Sequence, residues 1–194
     1  MQRLISSALG RVLAAVLSAG ALAGVAATVA HGSSHAASSG HHKRVCGLDI
    51  VWLQTSAEGD VFEIRGGKMA LGKSHNPKVR KLAATLVKDH TQSLRETKML
   101  ARELGVDVPM TPSPSQRWEL EEVAEMRGAE FNHDYSELEV LDHIQDIQES
   151  KDEVELGCND KVQSLAKQDI PTLKYHLHLA REALRSAGHE PSHS

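Results

Sequence analysis

Apolar residues recur at three- and four-residue steps from Leu48 to Ala187, and no stretch in that range alternates as a β-strand does. This periodicity predicts an all-α chain. Breaks at Gly, Asn and Pro divide the range into four long helices and one short helix. The predicted helices cover about 48–73, 77–104, 116–126, 129–156 and 159–187, and the last is expected to kink or restart at Pro171.

The connections between these helices limit how the four long ones can pack. The turns near residues 74–77 and 157–159 are short, so each joins antiparallel neighbours. About 24 residues separate Leu104 from Ala129, which is enough chain to cross the full height of a bundle. We therefore expect a ferritin-like four-helix bundle with a long crossover that carries the short extra helix. Simple up-down topology is the alternative.

The first 45 residues indicate where the protein goes. Arg3 and Arg11 precede the uncharged stretch 12–30, which ends in small residues, as in a secretory signal peptide. An uncleaved membrane anchor is the alternative. Residues 31–45 are interpreted as a disordered Gly/Ser/His linker, 46–188 as the bundle domain and 189–194 as a disordered tail. The sequence thus predicts an exported protein, periplasmic or extracellular, with no stable membrane span after cleavage.

Two cysteines bear on the topology. Cys46 precedes the first helix and Cys158 follows the third long helix. Up-down topology would place them at opposite ends, about 40 Å apart for a helix of this length, whereas a crossover places both at one end. Because exported proteins favour disulfides, we expect a Cys46–Cys158 bridge that supports the crossover. Two free thiols are the alternative.

Composition and motifs exclude several classes of function. Acidic residues outnumber Lys and Arg by 26 to 22, and Phe, Trp and Tyr make up 3% of the chain. Without a basic stripe or rings for base stacking, nucleic-acid binding is not expected. The chain also has no Gly-rich phosphate loop, nucleophile-elbow Ser or Cys-x-x-Cys motif. The absence of these motifs favours a protein that is not an enzyme but leaves the question open.

An ionisable residue interrupts the inward stripe of each long helix, roughly 14 to 17 residues from its start. These residues are Glu63, His90, His143 and His176. With crossover directions they converge near mid-bundle, and such a set suits Zn(II), Fe(II), Cu(II) or Mn(II). Asp89 and Asp142 are candidates for further ligands or for hydrogen-bond acceptors behind the histidines. The third long helix is open to a second reading, because Phe131, Leu138, Asp142 and Gln145 define a competing face.

Several segments resemble a bacterial domain-of-unknown-function family, number four-one-four-two. They are DVFEIRGGKMALGKSHNPKVRKLAATLVKDHTQS, LGVDVP, RGAEFNHDY, LDH and IPTLKYHLHLA, all within residues 49–187. Members are often labelled as outer membrane or exported proteins, and the resemblance implies a ferritin-like bundle without an established activity. It also matches the family's characteristic polar positions, which here are Glu63, Asp89, His90, His143 and His176.

Two functions remain open from the sequence. The first is an exported ferritin-like protein that binds a transition metal at the mid-bundle Glu/His cluster. The second is a helical interaction or structural module that binds an envelope partner or its own copies, with the cluster as a metal-free network of buried hydrogen bonds.

Overall fold

The computed structural model describes residues 44–188, which form five α-helices. They are α1 (Gly47–Lys73), α2 (Pro77–Leu104), α3 (Pro114–Glu125), α4 (Gly128–Leu156) and α5 (Asp160–Ala187). The all-α prediction is confirmed. The predicted signal peptide, the C-terminal tail and all but two residues of the linker lie outside the described residues. No helix within 44–188 is both long enough and apolar enough to cross a membrane.

Local capping explains where the helices begin and end. Asn76 caps α2, because its Oδ1 accepts hydrogen bonds from the backbone N–H groups of Lys78 and Val79 at 2.9 and 3.3 Å. Asn159 caps α5 in the same way. Gly105 ends α2 with a φ of 70°, a left-handed conformation that favours glycine.

Proline positions account for two differences from the prediction. α3 begins at Pro114, two residues earlier than expected, because proline fits the first turn and Ser113 caps the helix. The expected restart at Pro171 is wrong, since α5 continues through it as one helix. Pro171 is exposed, so it costs one backbone hydrogen bond on the solvent side while Ala166 and Leu173 stay buried on the other face.

Contacts between helix ends show the directions of the helices. Cys46 and Cys158 form a disulfide with a Cα–Cα distance of 5.8 Å, so the start of α1 and the end of α4 lie together. At the other end, Ser74 Oγ donates to Asn132 Oδ1 at 2.6 Å and joins the end of α1 to the start of α4. α1 and α4 are therefore antiparallel, and the segment containing α3 crosses the height of the bundle. These are the helix directions that the predicted crossover requires, and the predicted Cys46–Cys158 disulfide is present.

The core has two apolar layers. One contains Val79, Leu82, Leu86, Phe131 and Leu179 with their neighbours, and the second contains Trp52, Leu53, Ala101, Val162 and Ala166. Between these two layers, in a polar middle section, lie buried ionisable residues of all four long helices, among them Glu63, His90, His143 and His176. A second buried acidic pair, Asp49 and Glu153, lies at the disulfide end of the bundle.

Candidate metal centre

Three histidines from three helices meet in the polar middle section. His90 lies on α2, His143 on α4 and His176 on α5, and none is more than 5% exposed. Their ring centroids are 5.8 Å apart for His90 and His143, 5.1 Å for His90 and His176, and 5.3 Å for His143 and His176. A nitrogen from each ring lies within 4.8 Å of the others, a spacing that one metal ion can bridge.

Each of these histidines uses one ring nitrogen for a hydrogen bond to an acceptor. The Nδ1–H of His90 donates to Asp60 Oδ1 at 2.8 Å. The Nδ1–H of His143 donates to the backbone carbonyl of Glu139 at 2.8 Å, and the Nε2–H of His176 donates to Asp89 Oδ2 at 3.1 Å. The Glu139 carbonyl has no proton to give and the pKa of Asp89 is lowered, so these two bonds fix the imidazole proton of His143 on Nδ1 and that of His176 on Nε2. The same assignment for His90 takes Asp60 in its ionised form, which burial opposes by raising the pKa of Asp60.

The second nitrogen of each ring is buried and has no hydrogen-bond partner. These atoms are His90 Nε2, His143 Nε2 and His176 Nδ1. In a neutral imidazole the nitrogen opposite the N–H carries a free lone pair. The middle of the bundle thus holds three imidazole lone pairs that no protein donor satisfies, which is the arrangement that metal-binding histidines adopt.

Burial keeps the three imidazoles neutral at physiological pH. Desolvation lowers the pKa of His90 to about 4, although the charges of Asp142 and Asp89 oppose the change. Burial and the proximity of His90 likewise lower the pKa of His176 to about 4. The pKa of His143 is lowered by burial and by the other two rings. A metal ion would therefore not have to displace protons from these rings near pH 7.

A carboxyl cluster, which consists of Glu63, Glu139 and Asp142, lies beside His143. Nδ1 of His143 is 3.5 Å from Glu63 Oε1 and 3.9 Å from Glu139 Oε2. Burial raises the pKa of Glu63, and the charges of Glu139 and Asp142 raise it further. Burial raises the pKa of Glu139 to about 8 and also raises that of Asp142. Since Nδ1 also carries the proton of His143, this cluster faces the N–H side of the ring.

Comparison with known proteins identifies the family. The family described as "Domain of unknown function (DUF4142)" matches residues 34–183. The chain belongs to the DUF4142 family. No curated protein matches this DUF4142 chain at a significant level. A crystal structure of a DUF305 fragment from Deinococcus radiodurans is similar in fold, with a TM-score of 0.65 and 13% identity over 73% of this chain and 98% of that one.

The structure distributes the candidate metal ligands of this DUF4142 chain over two groups. His90, His143 and His176 form one group, whereas Glu63 joins Asp142 and His143 in the other. Asp89 accepts a hydrogen bond from His176, whereas His90, its neighbour in sequence, is hydrogen-bonded to Asp60. Cys46 and Cys158 are joined in the disulfide, which leaves no thiolate to bind a metal.

Two functional positions escaped the sequence analysis. Asp60 lies three residues before Glu63, and Glu139 lies four residues before His143. Helical spacing therefore puts each of them on the same face of its helix as that predicted site residue. The sequence predicts an inward stripe on α4 through Ser136, Val140, His143, Ile147, Ser150 and Val154. Four of these are buried as predicted, but Val140 is only half-buried, and Glu139 beside it is buried together with Tyr135.

Proposed function

We propose that this DUF4142 protein is a metal-binding bundle of the cell envelope that holds a transition-metal ion at His90, His143 and His176. The observation that carries the proposal is that the two nitrogens of each imidazole ring have different surroundings. One nitrogen contacts a hydrogen-bond partner and the other is buried without one, and the three rings lie with their centroids 5.1–5.8 Å apart.

The energetic cost of the empty arrangement supports a bound ion. A buried polar atom without a partner costs about 1–3 kcal/mol, and this site contains three such nitrogens within a few ångströms of one another. An apolar core of the same volume would avoid this cost. A metal ion would satisfy all three lone pairs at once.

The donor set favours a metal with affinity for neutral imidazole. Zn(II) is the reference ion for three-histidine sites, and Cu(II) and Fe(II) also accept this ligand type. Asp60 and Asp89 would act behind the ligands, since a carboxylate that accepts the second N–H makes the imidazole a stronger donor. Glu63 and Asp142 belong to the neighbouring carboxyl cluster.

Calorimetric titration tests the proposal. The protein is expressed from its full coding sequence with the tail histidines changed to Asn, so that the tails cannot bind metal; these are His31, His35, His41, His42, His189 and His193. Metal-free protein should bind Zn(II) with a stoichiometry of one. His90→Ala and His176→Ala should each abolish that binding, whereas His75→Ala and His178→Ala change exposed residues and should not.

The result has a second readout in stability. A ligand that binds only the folded state stabilises it by about 2.7 kcal/mol when the free ligand concentration is 100 times its Kd, and this stabilisation raises the unfolding temperature. The parent protein should therefore melt at a higher temperature with Zn(II), and His176→Ala should not respond. Absence of saturable binding of Zn(II), Cu(II) and Fe(II) would leave the three histidines as a hydrogen-bonding network.

The envelope location is supported by the disulfide, which persists in oxidising compartments, and by the signal-like first 30 residues. Fractionation of expressing cells followed by N-terminal sequencing tests it. A mature chain that begins near His31 outside the cytoplasm is the expected result. An intact Met1 in a membrane pellet would contradict it.

A further inference from the structure

The carboxyl cluster beside His143 is not explained by the three-histidine site. Glu63 of α1 and Glu139 of α4 are no more than 1% exposed. Glu63, Asp142 and His143 each place one polar atom within 4.8 Å of the others. Glu139 also reaches across to α1, because a Cβ added at Gly66 would lie 3.5 Å from its Oε1. Three carboxyl groups from two helices thus share one buried space.

These carboxyl groups have no partner of opposite charge. Neither oxygen of Glu63 or of Glu139 receives a hydrogen bond of ordinary geometry, and the same is true of Asp142 Oδ2. The three groups lie against one another, with Tyr135 beside Glu139 and Gln116 beside Asp142. Among the described residues, the ion-pair contacts of Glu63 and Glu139 are to Nδ1 of His143, which is hydrogen-bonded to the Glu139 carbonyl. Buried carboxylates are normally balanced by a cation or by hydrogen-bond donors of good geometry.

A divalent cation would satisfy all three groups. We propose that Glu63, Glu139 and Asp142 form a second cation site, separate from the histidines and selective for a hard divalent ion such as Mn(II). Carboxylate oxygens are the ligands that Mn(II), Mg(II) and Ca(II) prefer, whereas imidazole nitrogens favour later transition metals.

The proton on His143 keeps the two sites apart. Its Nδ1–H donates to the Glu139 carbonyl and faces the carboxyl cluster, so this nitrogen has no lone pair to offer an ion there. Its free Nε2 belongs to the three-histidine group. The second site therefore takes oxygen ligands only, and it does not depend on whether the histidines hold a metal.

An acidic cavity gives this second site a route to solvent. The cavity has a volume of about 220 Å³ and is lined by residues of α1, α3 and α4 and of the segment before α3. Its lining includes five carboxylates and no Lys, Arg or His; the carboxylates are Glu58, Glu119, Asp142, Asp146 and Glu149. Such a concentration of negative charge raises the local concentration of cations. Asp142 belongs to both the cavity and the cluster, so the cavity adjoins the second site.

Electron paramagnetic resonance of Mn(II) tests the second site. Hydrated Mn(II) has a strong signal that weakens on binding to protein, so a titration reports free ion directly. The probe is Mn(II) alone, added to the tail-histidine variant with and without one equivalent of Zn(II). We expect one Mn(II) per chain in both cases. Glu139→Gln and Asp142→Asn should each weaken Mn(II) binding at least tenfold while the calorimetric binding of Zn(II) is kept.

Matched variants separate the two sites. Glu137→Gln removes an exposed carboxylate from the same helix and should bind Mn(II) like the parent protein. His176→Ala should lose Zn(II) and keep Mn(II), which would distinguish failure of the histidine site from failure of this one. Thermal unfolding of each variant verifies that it folds. If Glu139→Gln does not fold, Asp142→Asn decides the result, because Asp142 is only half-buried and its substitution disturbs the core less.

Three results would overturn the second site. The first is no Mn(II) binding by the parent protein up to about 1 mM ion, a range that covers weak affinities. The second is equal binding by Glu139→Gln and Asp142→Asn, which would place the ion elsewhere. The third is loss of both metals in His176→Ala, which would show a single site centred on the histidines.

Discussion

Glu153 offers a sharp test of the electrostatics at the disulfide end of the bundle. Its side chain is fully buried near Asp49, whose two oxygens accept hydrogen bonds from the backbone N–H groups of Cys46, Cys158 and Asn159 at 2.6, 3.0 and 3.0 Å. Burial opposes ionisation of Asp49, but these donors outweigh it and lower its pKa. Burial and the nearby Asp49 raise the pKa of Glu153 to about 8. At pH 7 the pair is thus one carboxylate and one carboxylic acid.

The magnitude follows from linkage between folding and protonation. Between the ordinary pKa of 4.5 and the folded value of about 8, the folded protein holds a proton on Glu153 that the unfolded chain has released. Stability therefore falls as pH rises through this window, by about 1.4 kcal/mol per unit for this group. Glu153→Gln keeps the shape and a hydrogen-bond donor but has no proton to lose. Its advantage over the wild type should grow by about 3–4 kcal/mol from pH 5 to pH 8.

Urea denaturation of both proteins at pH 5, 6, 7 and 8, without reductant, measures this difference. The slope of the stability difference against pH is the decisive quantity, because a constant offset between Glu and Gln cancels. Glu155→Gln, at an exposed position of the same helix, controls for the change in net charge. A stability difference that stays flat from pH 5 to pH 8 would show that Glu153 is ionised in the folded protein and would refute the reasoning.

Three further predictions concern stability. Asp49→Asn should destabilise the protein by about 1–3 kcal/mol at pH 7 in urea denaturation, because a neutral amide is a weaker acceptor for the buried backbone N–H groups; an unchanged midpoint would contradict this. In a thermal scan, Gly67→Ala should destabilise the protein by about 1–3 kcal/mol despite the better helix propensity of Ala, because the new Cβ would lie 2.9 Å from the Ala83 carbonyl oxygen. Gly72→Ala should stabilise the protein in the same scan, because a Cβ at that position meets no atom within 4 Å. Reduction of the Cys46–Cys158 disulfide, which closes a separation of 112 residues, should lower stability by about 4–5 kcal/mol, and a melting temperature unchanged by reductant would exclude a structural role.

The sequence was sufficient for the helices and for their directions. Helical periodicity and capping depend on neighbours within a few residues, so Asn76, Gly105 and Asn159 mark real boundaries. The topology followed from connection lengths and from two cysteines that were expected to pair. The restart expected at Pro171 was wrong because packing of the flanking turns on the bundle outweighs the loss of one exposed hydrogen bond.

For the candidate site, the sequence predicted the heights of the residues along the helices but not all of the faces on which they lie. Rise along a helix is about 1.5 Å per residue, so counting residues from the helix starts placed Glu63, His90, His143 and His176 at similar heights. Direction around a helix changes by about 100° per residue, so a small error in the predicted face sends a side chain to a different neighbour. That error hid Glu139 behind Val140 on α4.

Only the tertiary structure decided which side chains form hydrogen bonds with the three histidines. Asp89 adjoins His90 in sequence but bonds His176, and His90 is held by Asp60 from another helix. These contacts decide which ring nitrogen has a partner and which has none, and packing places Glu63 beside Nδ1 of His143, outside the three-histidine group. The sequence determines the height of each polar group because rise is a local property of a helix. Helix rotation and packing decide which groups touch, because they depend on the whole core at once.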